Sequence, residues 1–181
     1  MRLADVPDGE AVFFFLREPV SRYISGFYSR QRKGAPRYYF EWSKGEETAF
    51  GMFNTPNELA CALSDPDPMR KLAAEKAMAS IQHVRMKYAY WFDEMSYFRT
   101  RRNDIIFVGF QERLVEDFER LKLRLGLPVE IALPDDNIRS HRNPVNLDRN
   151  LDDIALRNLN FWYADDIRFY KTCQMEFGPL S

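Results

Sequence analysis

Cysteine is scarce: Cys61 and Cys173 are the only two in 181 residues, far apart and without metal-ligand or redox spacing. That count argues against a disulfide framework and a cysteine-built metal centre; no metal is expected. No apolar run approaches the roughly 20 residues a membrane helix needs, and Met1-Arg2-Leu3-Ala4-Asp5 lacks the pattern of a signal peptide. A cytoplasmic protein without a membrane segment is the expectation. Net charge is −1, so general nucleic-acid binding is not expected. A Gly-x-x-x-x-Gly-Lys-Ser/Thr loop is also absent, which leaves an ordinary P-loop kinase poorly supported.

What is present is a chain of 45% hydrophobic and 15% aromatic content, long enough for a single domain over residues 1–181 with a Phe- and Tyr-rich core. Its charge is uneven. Between Arg17 and Arg37 lie six Arg/Lys (17, 22, 30, 32, 33, 37) against one acid, Glu18. A local excess of this kind in a near-neutral protein suits a small anionic ligand better than a polymer.

The apolar run Val12-Phe13-Phe14-Phe15-Leu16 reads as a strand buried on both faces. Charge follows abruptly at Arg17-Glu18, and Pro19 suits the first helical position, where its missing N–H is no loss. Glu18, pushed out of the α region by the proline, is the expected N-cap. In the helix that follows, Arg22, Ser25, Ser29 and Arg32 share one side, and Val20, Ile24 and Phe27 another. An arginine at the carboxyl end of a buried strand, directly before a helix N-terminus, is an anion site at the edge of an open α/β sheet. The bland alternative is an arginine paired with an acid beside a solvated face.

Arg17-Glu18-Pro19-x-x-Arg22-x-x-Ser25-x-Phe27-Tyr28 resembles the 3′-phosphate-binding motif of the PAPS-dependent sulfotransferases, in particular the Golgi carbohydrate type and its bacterial relatives. The resemblance implies an α/β fold of P-loop-NTPase-like, three-layer α/β/α type with a mostly parallel central sheet. It also implies that Arg17 and Ser25, with Arg22, hold the 3′-phosphate of the sulfate donor PAPS. The family's other nucleotide motif, the 5′-phosphosulfate loop, lies upstream of this one. The ten residues before the strand do not encode it, so the family's N-terminal strand–loop–helix is not expected here.

Further along, Arg37–Thr55 reads as a loop with aromatic anchors Tyr38, Tyr39, Phe40 and Trp42, a flap or a substrate loop. Thr55-Pro56-Asn57-Glu58 opens a short helix over Asn57–Leu63, and Asp67-Pro68 opens another to about Ile81. His83, before an aromatic cluster, is a candidate proton acceptor at the acceptor side or a structural hydrogen-bonding residue. Asp104–Phe110 reads as a second buried strand, followed from Gln111 by a helix that Gly126 ends. Glu112 either faces the site or complements its own helix dipole. In relatives, the stretch after this helix folds over the nucleotide, which makes Arg139, Ser140, His141 and Arg142 candidates. A helical pattern then runs from Leu151 to about Gln174.

The resemblance implies in-line transfer of a sulfuryl group from PAPS to an acceptor hydroxyl on a carbohydrate or other small alcohol. The alternative is a non-catalytic nucleotide-binding or interaction protein that kept the fold.

Overall fold

The computed structural model of the chain describes residues 1–136, 143, 144 and 146–178. Two strands, β1 (Val12–Leu16) and β2 (Ile105–Phe110), pair in parallel, with Leu16 opposite Phe110. The helices in chain order are α1 (Pro19–Gln31), α2 (Lys44–Met52), α3 (Pro56–Ala62), α4 (Pro68–Ser80), α5 (Gln82–Arg85), α6 (Tyr88–Phe92), α7 (Met95–Thr100), α8 (Leu114–Leu125), α9 (Asp153–Trp162) and α10 (Ala164–Phe177). The class is therefore α/β, mostly helical, with a small parallel sheet of two strands among the described residues. None of these helices is long and apolar enough to cross a membrane.

The chain forms two compact units. The first comprises Met1–Pro19, Lys87–Leu133 and Asp165–Ser181; the second comprises Val20–Met86 and Pro134–Ala164.

In the first unit, Val12, Phe14 and Leu16 turn one face of β1 into a core with Val108, Phe110, Phe98, Phe169 and Tyr170. The opposite face is not sealed: Phe13 is 48% exposed. The apolar run therefore marked a strand correctly but overstated its burial, since composition does not report how many faces are covered. Phe15, on that second face, lies over Gly109; a Cβ at Gly109 would fall 2.3 Å from its ring, so only glycine lets the ring lie there. Arg101 ties the N-terminal segment down, donating to the carbonyls of Leu3, Val6 and Pro7 and pairing with Asp104 at 2.6 Å. Cys173 is fully buried, and burial first, with Glu176 second, pushes its thiol up to about 12. α8 begins after a 3-10 turn, Gln111–Arg113, and ends at Gly126, whose φ of +63° is the left-handed conformation glycine adopts readily.

In the second unit, α1 buries Tyr23, Phe27 and Tyr28, and the Phe27 ring meets that of Phe50 edge-on at 5.3 Å. α2 lies inside the stretch expected to be a loop. Its start is a capping box: Ser43 Oγ accepts from the Glu46 N–H (3.2 Å) and Glu46 accepts from the Ser43 N–H (3.0 Å). Ser43-Lys44-Gly45-Glu46 is legible as such a box, but Gly45 and the sparse apolar spacing obscured it. Of the expected aromatic anchors only Trp42 serves, its indole N–H donating to the Arg30 carbonyl at 2.7 Å. Tyr38, Tyr39 and Phe40 are 47%, 64% and 58% exposed. The single long helix expected after Leu151 is two, broken at Tyr163, whose hydroxyl donates to the Val84 carbonyl at 2.7 Å. In the N-cap of α9, Asp152 accepts from Ala155 N–H at 2.8 Å and from the Cys61 thiol at 3.2 Å. Burial and this carboxylate push the Cys61 thiol up to about 11.

Candidate anion-binding residues

In the first unit, the two residues between β1 and α1 are held from the backbone. The Arg17 N–H donates to the Tyr88 hydroxyl at 3.1 Å, and that hydroxyl donates to the Arg17 carbonyl. Tyr88 is in turn anchored by its own N–H on the Asp166 carboxylate, 3.0 Å, and by its ring 5.5 Å from that of Phe169. The Glu18 N–H donates to Glu112 Oε1 at 2.8 Å, and the Tyr170 hydroxyl donates to Glu112 Oε2 at 2.8 Å. Burial, then this hydrogen bond to Glu112, pushes the Tyr170 phenol well above its ordinary value, so it stays a neutral donor. Glu112 thus complements the amide at the start of α1 rather than serving only the dipole of its own helix.

In the second unit, Ser25 lies two turns before Arg32 on the polar side of α1. The Asn143 side-chain amide donates to Ser25 Oγ at 3.2 Å and to the Ser25 carbonyl at 3.3 Å. Arg32 Nη2 donates to the Asn143 side-chain oxygen at 2.8 Å. Asn143 therefore fixes Ser25 as an acceptor, which leaves the hydroxyl proton to give to a ligand. Farther along the same loop, the Asp148 carbonyl accepts from the Tyr28 hydroxyl, a second tie to α1. The guanidinium of Arg22 sits 5.6 Å over the Tyr163 ring.

His83 is exposed on the four-residue α5. Its backbone and Cβ press against α1 at Gly26, where a Cβ would lie 2.9 Å from that of His83. His83 is thus fixed beside the residue that follows Ser25 in the chain. Arg139, Ser140, His141 and Arg142 lie outside the described residues.

The structure brings Ser25 together with a partner the sequence did not single out, Asn143, and ties Arg17 to another, Tyr88. Arg32 was visible on the polar face, but nothing in its spacing paired it with Asn143. Tyr88 lay in the aromatic cluster after His83, where nothing in its spacing marks it as the residue that fixes Arg17. Comparisons with protein-family models, with curated proteins and with solved structures found no match.

Proposed function

We propose that the chain is a sulfotransferase-like protein that takes a sulfuryl group from PAPS to the hydroxyl of a carbohydrate or other small alcohol. One observation carries the reading: Ser25, the motif's hydroxyl, is oriented by Asn143 so that its proton remains to be donated. A phosphate oxygen is the acceptor such a donor suits, and the neighbouring cation, Arg32, suits the same charge. The fold that goes with this reading is the P-loop-type three-layer α/β/α arrangement; the parallel pairing of β1 with β2 supports it.

By this reading Arg17 and Arg22 supply guanidinium donors to the 3′-phosphate and Ser25 supplies its hydroxyl. The donor brings the activated sulfuryl group; the chain binds and orients it. Such a transfer depends chiefly on positioning and on stabilising developing charge. His83, the one imidazole among the described residues, takes the proton of the acceptor hydroxyl, as imidazole does near neutral pH.

Thermal denaturation with adenosine 3′,5′-bisphosphate, with ATP as control, tests the donor site. A ligand at one hundred times its dissociation constant adds about 2.7 kcal/mol, a clear rise in midpoint. Arg17→Ala is expected to weaken the bisphosphate by roughly 10- to 100-fold, the worth of a charge-assisted hydrogen bond. An equal response to ATP, or an unchanged response in Arg17→Ala, would refute the reading. Bisphosphate binding with no transfer to any hydroxyl acceptor would select the non-catalytic alternative.

A further inference from the structure

Arg32 has two buried guanidinium nitrogens that stand out in the second unit. Its Nη2 is engaged by Asn143 at 2.8 Å, but Nε and Nη1 are both buried and, among the described residues, have no hydrogen-bond partner. The contrast with Arg30, two residues earlier, is direct: Arg30 pairs through two nitrogens with Glu46 at 2.7 and 2.9 Å. Among the described residues no carboxylate pairs with Arg32; burial bears on its guanidinium and lowers its pKa.

A partly buried cation without a counter-ion, and with two buried donors unmet, is costly for the free protein. The side chain runs back from beyond the last residue of α1 toward the N-terminal side, as helical side chains lean, and meets Asn143 and, through it, Ser25 two turns away. The donors gathered there are the two unmet nitrogens of Arg32 and the hydroxyl proton of Ser25. The oxygens there, the Ser25 carbonyl and hydroxyl and the Asn143 side-chain oxygen, each already accept a hydrogen bond, and among the described residues no carboxylate pairs with the guanidinium.

We infer that Arg32, Asn143 and Ser25 form a binding site for a tetrahedral oxyanion, in which Arg32 is the fixed counter-charge and Asn143 the positioning residue that joins it to Ser25. The inference deepens the reading above, on which its nucleotide arm rests, by adding a cation outside the recognised motif. The oxyanion is either the phosphate monoester of a nucleotide or free phosphate or sulfate, and the two sources separate experimentally.

The test uses the full chain and its Arg32→Gln, Arg32→Lys, Asn143→Ala and Arg17→Ala variants. Unfolding midpoints and calorimetric titrations are recorded with adenosine 3′,5′-bisphosphate, adenosine 5′-phosphate, inorganic phosphate and sodium sulfate. Arg32→Gln is expected to lose roughly tenfold or more in affinity for the preferred anion, Arg32→Lys less, and Asn143→Ala an intermediate amount. Without any anion, Arg32→Gln should melt no lower than the wild type, because it removes a partly buried charge that has no counter-ion among the described residues. A purely structural arginine would give the reverse, and a midpoint several degrees lower would overturn the inference. So would unchanged anion affinity in Arg32→Gln, or a wild-type chain that responds to none of the four anions. If Arg17→Ala loses the bisphosphate and Arg32→Gln does not, the donor reading survives and this inference falls. If inorganic phosphate or sulfate binds through Arg32 and the 3′-phosphate confers no advantage over adenosine 5′-phosphate, the inference stands and the donor reading falls.

Discussion

Glu46→Gln is expected to destabilise the chain by about 3–5 kcal/mol, the cost of removing one member of a buried ion pair and leaving the other charged. The Glu46 and Arg30 side chains are 4% and 3% exposed. The carboxylate collects two guanidinium donors from Arg30, at 2.7 and 2.9 Å, the N–H groups of Gln82 and Ser43, at 3.1 and 3.0 Å, and the Ser43 hydroxyl, at 3.1 Å. It therefore joins α1, the start of α2 and the start of α5 in one knot. Burial by itself would raise the Glu46 carboxyl pKa, but the Arg30 guanidinium and the two backbone N–H donors outweigh it and pull the value to about 2 from an ordinary 4.5.

Because the folded value lies below the unfolded one, the stabilisation is complete above about pH 4.5 and is lost as pH falls from there toward 2. That separation corresponds to about 3 kcal/mol. Urea midpoints between pH 2 and 7 should show an acid limb in the wild type that is flattened in Glu46→Gln. A wild-type stability independent of pH over that range, or a loss in the variant below about 1 kcal/mol, the median worth of an exposed pair, would show that the knot is not what holds these helices. Replacing both partners by Arg30→Met and Glu46→Leu should recover part of the loss, since an apolar pair leaves no charge stranded.

Asp117→Ala should cost about 3 kcal/mol in the first unit, and its origin is different. Asp117 is fully buried. It accepts from the Phe110 N–H at 2.8 Å, where β2 ends, and from Arg113 and Arg120 at 2.9 and 3.0 Å. The arginine side chains are 38% and 41% exposed and re-solvate when the carboxylate goes. The Phe110 amide, 3% exposed at residue level, does not, and an orphaned buried N–H costs about 1–3 kcal/mol. The cavity left by the side chain adds to that. Amide hydrogen exchange is the discriminating measurement: protection at Phe110 should fall markedly in Asp117→Ala, while Arg113→Ala leaves it in place. Because Gln111–Arg113 is spanned by this bond, loosening it should also weaken the hold of Glu112 on the Glu18 N–H, and with it the geometry of the turn after β1.

Local signals carried much of the architecture. The all-apolar run before Arg17 and the one before Gln111 became the two strands, and Thr55 and Asp67 cap the helices expected of them, accepting from Glu58 and Met69 N–H groups at 3.1 and 2.9 Å. The polar side of α1 was legible because its spacing follows the helical period. What escaped were consequences of tertiary contact. Tyr163 interrupts a strong helical pattern because its ring and hydroxyl are committed to other elements, a packing choice that overrides local propensity. The partners at the candidate site are distant in sequence: Tyr88 is 71 residues from Arg17, and Asn143 is 118 from Ser25. No periodicity reports such pairings. The unmet donors of Arg32 are visible only once its neighbours among the described residues are placed.

The two thiols fall one to each unit, Cys61 in the second and Cys173 in the first, and both are held protonated, with values near 11 and 12. Since the thiolate is the reactive form, neither thiol should be modified appreciably by a maleimide at neutral pH while its unit is closed. Each then becomes an internal clock. The rate at which Cys61 is labelled counts openings of the α3–α9 contact, and the rate at Cys173 counts openings of the core beneath α10. Peptide-resolved labelling of the unmodified chain would therefore time the two units separately, and different rates would mean that they open independently of each other.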